Sequence, residues 1–201
     1  MSSDNDVSRL KRSILASLTE TLGIDQNTLL NYFINCRGKL TTNHELFLRK
    51  LCDILNYLEL YGLHDQGNVL KIMRKVRELA KLAPKELRDI LSLIVVYLCS
   101  QNVIPEVLEW SKDDEPFIRA MAAKCAVELF VKGLLDLEVL REMSEDPSPM
   151  VREYLVTSLG AVKGEKKGEV ISILRVMLTR EKKSSIRAKI MDSLVRLLSE
   201  A

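Results

Sequence analysis

Three arginines, Arg119, Arg152 and Arg187, stand 33 and 35 residues apart in the same local setting. Each follows a β-branched residue, as Ile118-Arg119, Val151-Arg152 and Ile186-Arg187, and six residues before each stands an acid: Asp113, Asp146 and Glu181. Apolar residues agree in register behind them: Ala122, Leu155 and Ile190, then Ala126, Leu159 and Leu194, then Leu129, Val162 and Leu197. Trp110, Met143 and Leu178 share a register ahead of the acids. A period of this length marks stacked units, because a pair of short amphipathic helices cannot bury both apolar stripes alone. Each unit therefore reads as a short helix, an acidic turn and a second helix that opens just before the β-branched residue. An acid in such a turn is favoured by the nearby helix N-terminus. An arginine one turn into the helix can reach it with a charge-assisted bond. Asp113, Arg119, Asp146, Arg152, Glu181 and Arg187 are accordingly expected to form a structural acid–arginine ladder joining adjacent units.

Over residues 103–201 this pattern resembles the HEAT repeat family, at Asp113…Ile118-Arg119, Asp146-Pro147…Val151-Arg152 and Glu181…Ile186-Arg187. The third unit departs from the other two, with Glu in place of Asp and no Pro in its turn, as suits a terminal repeat. What the resemblance implies is a right-handed stack of antiparallel helix pairs whose surface is offered to other macromolecules. It does not imply an enzyme. The units are placed at about 103–133, 134–164 and 165–201, within a solenoid running over 68–201.

The remainder of the chain is also helical in pattern. Val7–Leu22 carries Leu10, Ile14, Leu15, Leu18 and Leu22 near helical spacing and stops at Gly23; Asp25 can cap a second helix through Leu29, Leu30, Phe33 and Ile34. Thr42-Asn43-His44-Glu45 has the form of a capping box and opens a long helix that closes at Tyr61-Gly62. Residues 1–67 are read as a three-helix domain that resembles a helix-turn-helix or winged-helix domain, with Thr41–Tyr61 as its recognition helix and 62–68 at its wing. Val69, Ile72, Met73, Val76, Leu79 and Ala80 then follow helical rather than alternating spacing, and Pro84 separates them from an apolar helix over Lys85–Ser100. The predicted fold is all-α: a HEAT-like superhelix behind an N-terminal helical domain.

Composition agrees: 47% of the 201 residues are hydrophobic and only 5% aromatic, a helix-forming palette too apolar for a disordered chain. The four cysteines, Cys36, Cys52, Cys99 and Cys125, are scattered without a Cys-x-x-Cys pair, so plain buried thiols are expected rather than a zinc site or a disulfide set. No apolar run reaches the ~18–20 residues of a membrane span, and the start, Met1-Ser2-Ser3-Asp4-Asn5-Asp6, is polar and acidic. The expectation is a soluble cytoplasmic protein without membrane association. The sequence leaves its oligomeric state open.

Net charge is only +2, but residues 1–83 hold 12 Lys and Arg against 9 Asp and Glu. Lys71, Arg74, Lys75 and Lys81 fall on one helix face, interrupted by Glu78, and form a candidate nucleic-acid contact, since a basic stripe can follow phosphates. The ordinary alternative is a solvated helix face. A second basic stretch, Lys163–Lys189, divides between turns at opposite ends of a helix and reads as two solvated loops. Catalytic chemistry has little support. There is no glycine-rich phosphate loop, no Gly-x-Ser-x-Gly, and neither His44 nor His64 has a metalloprotease partner. Neither a catalytic, a metal nor a cofactor-binding residue is assigned, and no cofactor is expected.

The expected function is a non-enzymatic interaction or scaffold module that presents its second helices to a protein partner. The candidate surface there is Lys124, Glu128, Glu153 and Thr157, which lie off the apolar positions. The alternative is a DNA-associated, nucleic-acid-binding protein using the N-terminal helices and the 71–81 face. A HEAT-like DNA glycosylase, suggested by the acids around Trp110, ranks third because Trp110 shares the register of Met143 and Leu178 and reads as core.

Overall fold

The computed structural model describes residues 3–35, 44–61, 66–99 and 103–199. Among them there are eleven α-helices, one 3₁₀ turn and no strand, so the fold is all-α. The helices are α1 (Ser3–Leu22), α2 (Gln26–Asn35), α3 (Glu45–Tyr61), α4 (Gln66–Leu82), α5 (Arg88–Leu98), α6 (Ile104–Trp110), α7 (Pro116–Val131), α8 (Leu137–Ser144), α9 (Pro149–Leu159), α10 (Lys167–Arg180) and α11 (Ser184–Ser199). None is long and apolar enough to cross a membrane.

By contact the chain divides into two compact units, Met1–Val103 and Ile104–Ala201. The sequence reading began the solenoid at residue 68. In the structure α4 packs on α3, and α5 on α4 and α1, so both helices stand with the first unit.

In the first unit α1 packs against α2, α3 and α5, burying Leu10, Ile14, Leu15 and Leu18. It ends where Gly23 takes a φ of +65° and donates its N–H to Thr19 O at 3.0 Å, a left-handed cap that glycine adopts without steric cost. Asp25 caps α2 as expected: Thr28 N–H donates to its Oδ1 at 3.0 Å. That bond and one from the Thr28 hydroxyl hold the Asp25 carboxyl below its ordinary value, the hydroxyl contributing most. Thr42 and Asn43 of the expected capping box lie outside the described residues, as do 62–65 of the expected wing; Gln66, Gly67 and Asn68 form the first turn of α4.

The second unit consists of three successive pairs, α6 with α7, α8 with α9 and α10 with α11, in which the second helices α7, α9 and α11 pack in series and α8 packs on α10. Pro116 and Pro149 open α7 and α9, where a missing N–H leaves nothing unsatisfied. α7 is buried nearly all round through Phe117, Ile118, Met121, Cys125, Leu129 and Phe130. The register read from the sequence is buried too: Ile118, Val151 and Ile186, then Ala122, Leu155 and Ile190, then Leu129, Val162 and Leu197. Leu194 is half-buried. Gly160 marks a close helix approach. A Cβ there would lie 2.4 Å from Ser193 Oγ on α11.

One expectation is corrected. Cys52, Cys99 and Cys125 are buried and disulfide-bonded rather than plain thiols. Sequence spacing cannot reveal such bonds, because they depend on which sulfurs the fold brings within reach. Cys36 lies outside the described residues.

Candidate interaction surface

The turn of each helix pair is built by the acid itself. Asp113 Oδ1 accepts the N–H of Glu115 at 2.9 Å, Asp146 Oδ1 that of Ser148 at 2.7 Å and Glu181 Oε1 that of Lys183 at 2.9 Å. A carboxylate folded back on a backbone N–H two residues ahead is a local turn device, here set at the mouth of the following helix. From one turn into that helix the arginine reaches back. Arg119 Nη1 donates to the carbonyls of Asp113 and Asp114 at 2.7 and 3.2 Å, and Arg152 Nη1 to those of Asp146 and Pro147 at 2.7 and 3.2 Å.

The carboxylate of the ladder comes from the next unit. Arg119 Nε and Nη2 donate to Asp146 Oδ2 and Oδ1 at 2.8 and 3.1 Å. Arg152 repeats the geometry with Glu181 at 2.7 and 3.0 Å. Both are bidentate pairs, the arrangement in which a planar guanidinium is strongest. Of the six residues expected to form the ladder, Arg119, Asp146, Arg152 and Glu181 join adjacent units, whereas Asp113 bonds within its own turn and Arg187 to carbonyls of its own helix pair; within a unit the guanidinium takes the turn's carbonyls rather than its carboxylate. Glu181 has only 2% of its side chain exposed. The Arg152 guanidinium holds its carboxyl below the ordinary glutamate value, against the opposing effect of burial. Asp146 and Glu181 in turn hold Arg119 and Arg152 above the usual arginine value. Beside the second rung, Glu145, Pro147, Met177 and Arg180 border an open cleft of about 370 Å³, across which Arg180 pairs with Glu145.

The second helices carry the candidate partner surface. Glu128 and Thr157 are exposed, while Lys124 and Glu153 are half-buried. Lys124 Nζ sits 4.7 Å from the centre of the Tyr154 ring, tying α7 to α9, and Tyr154 meets Phe117 edge-on at 6.4 Å. Glu153 pairs with Lys189 and ties α9 to α11. The Thr157 hydroxyl donates to its own helix at Glu153 O, 2.9 Å away. Tyr154 and Lys189 were not selected from the sequence. The signal for them is that Tyr154 and Lys189 stand at the same register, two residues behind Arg152 and Arg187.

In the first unit, Lys71, Arg74, Lys75 and Lys81 are all exposed on one face of α4. Glu78 lies among them and pairs with Lys81 at 2.9 Å. Lys75 Nζ stands 5.8 Å from the centre of the Tyr57 ring. Lys50 and Asp53 of α3 line a shallow groove with Arg74, Lys75 and Glu78, so the basic face carries acids within it. Trp110 is 2% exposed and belongs to the core of the second unit. Among the described residues no group of three or more His, Cys, Asp or Glu gathers to hold a metal. Compared with known proteins, the chain matches no family model, no curated protein and no solved structure.

Proposed function

We propose that this chain is a non-enzymatic, HEAT-like scaffold that binds a protein partner along the second helices of its C-terminal unit. The single observation that carries this reading is the repeated bidentate rung. Arg119–Asp146 and Arg152–Glu181 lock successive helix pairs in one geometry, which holds the row α7, α9, α11 rigid for recognition. A pre-ordered surface loses little conformational entropy on binding. Exposed Glu128 and Thr157, flanked by Lys124, Glu153 and Lys189, give that row a polar surface of mixed charge, complementary to a partner of mixed charge rather than to a polyanion. The test is capture from the native source with tagged wild type and a Glu128→Lys, Thr157→Arg variant. The expected result is a partner retained by the first and lost by the second at equal melting temperature. An identical set of captured proteins would overturn the reading.

The second reading, a nucleic-acid-binding protein, rests on the exposure of Lys71, Arg74, Lys75 and Lys81 along one face of α4. The Lys81–Glu78 pair and the nearby Asp53 weigh against it, because each acid subtracts from the field that would attract phosphate. It expects a shift in DNA or RNA gel mobility at low salt that is abolished by changing Lys71, Arg74 and Lys75 to Glu. Unaltered mobility removes it. Against the glycosylase reading, the Trp110 ring that suggested it is buried and not open to stack on a base.

A further inference from the structure

The outward face of the last helix repeats the pattern of faces that are covered elsewhere in the stack. Count from the ladder arginine to the positions one, four, eight and eleven residues behind it. In α7 these are Ala120, Ala123, Val127 and Phe130, all buried. In α9 the fourth and eighth are Val156, fully buried, and Gly160, whose backbone lies against Ser193 of α11. The eighth position of a second helix thus faces the next second helix. In α11 the same positions are Ala188, Met191, Val195 and Leu198. All four are apolar and exposed, Met191 at 55%, Val195 at 67% and Leu198 at 52%. Their spacing makes one continuous helical seam.

Arg187 stands at the head of that seam. Its Nη1 donates to the carbonyls of Leu178 and Glu181 at 2.8 and 3.2 Å, much as the other ladder arginines use theirs. Arg119 and Arg152 give Nε and Nη2 to a carboxylate of the following unit. Among the described residues, no carboxylate takes these two donors of Arg187. An apolar seam and a forked pair of unused donors are therefore aligned as in the two preceding interfaces.

We propose that the outer face of α11 is a docking site for a helix–turn–helix element of another protein, one with an Asp or Glu in its turn and an apolar-faced second helix. The carboxylate seats bidentately on Arg187 while the apolar helix covers Met191, Val195 and Leu198. Charge selects this occupant. A basic element is repelled, and a purely apolar helix leaves the guanidinium without an acceptor. This face is separate from the Glu128–Thr157 surface, and neither proposal depends on the other.

The probe is a labelled polypeptide of residues 160–199 of this same chain, which carries Glu181 in its turn, titrated into the 201-residue chain. Saturable binding is expected. It should weaken roughly tenfold or more with Val195→Asp, an exposed change that spares the fold, and with Arg187→Glu. Pairing Arg187→Glu protein with a Glu181→Arg probe should restore it. A second form, the full chain extended at its C-terminus by another copy of residues 160–199, raises the local concentration of the hairpin and decides the matter where the free probe binds too weakly to read. In that form the added helices should be protected from hydrogen exchange, and Val195→Asp should remove the protection. Added helices that exchange as an unfolded peptide does, or binding indifferent to both Val195→Asp and the charge exchange, overturn the proposal. A concentration-dependent dimer of the unmodified chain that Val195→Asp dissociates also overturns it, by assigning the face to a second copy.

Discussion

With 2% of its side chain in contact with solvent, the Glu181 carboxylate has little water to fall back on if Arg152 is removed. Breaking a buried pair from one side costs more than the pair contributes, because the remaining charge is left desolvated. Arg152→Ala is therefore expected to lower the unfolding free energy by about 3 kcal/mol in urea titration; an unchanged midpoint would remove the ladder's structural role. Arg119→Ala should cost a similar amount, and Arg187→Ala less, since Arg187 holds only backbone carbonyls. Glu181 also gives the fold a pH dependence. Its carboxyl is held below the ordinary value of 4.5 in the folded state, so the folded state binds a proton less readily than the unfolded chain. Stability from this group is fully present well above pH 4.5 and is lost as pH falls from there through the lower folded value. Comparing wild type with Glu181→Gln by thermal melting between pH 3 and 7 checks this. The wild-type curve should fall more steeply at acid pH than that of the variant, which keeps the contribution of Asp25, and parallel curves would contradict it. The four residues of the two rungs were legible in the sequence, since a repeated acid and arginine at constant spacing need only one dimension to be seen; that Arg187 meets no carboxylate among the described residues was not. Which carboxylate meets which guanidinium was not legible. The pairing runs from Arg119 to Asp146, 27 positions on, and depends on how neighbouring units are stacked.

Among the elements, α9 and α11 approach most closely where a side chain is missing. Gly160 has an ordinary helical φ of −66°, so its importance is space rather than backbone freedom: an added methyl would meet Ser193 Oγ at 2.4 Å and Cβ at 2.8 Å. Gly160→Ala should thus destabilise the protein by about 1–3 kcal/mol, the usual cost of overpacking. Ser193→Gly in the same chain should recover part of it, which paired denaturation curves would reveal. If Gly160→Ala melts like wild type, the two helices are looser than this contact requires. Helix identities were largely legible, because apolar spacing, Gly23 and the two helix-opening prolines act locally. The first unit shows the limit. Val69–Ala80 read correctly as helix, yet membership of α4 and α5 in the first unit is decided by what they pack against. The cysteines show it again: nothing in their spacing distinguishes a lone thiol from a bonded one.

For the C-terminal unit as a whole, stability should grade along the stack, because each helix pair is held by its neighbours. The most deeply buried helix, α7, lies within it, whereas α11 exposes Met191, Val195 and Leu198 on its outer face. Amide exchange is expected to be slowest in α7 and fastest in α11, following local opening rather than global unfolding. Equal protection of the two helices would mean that the unit opens only as one body. The sequence by itself determined the helical class, the repeat, its ladder residues and most of the buried register, since these depend on periodicity and on chemistry within one or two turns. Only the tertiary structure decided the direction of each rung, the 103/104 division, the bonding of the cysteines, the pairing of Lys124 with Tyr154 and of Glu153 with Lys189, and the lack of cover on the α11 seam. Those are properties of approach between segments distant in the chain. Burial, bonding and exposure become defined only once packing has set which faces meet and which remain open.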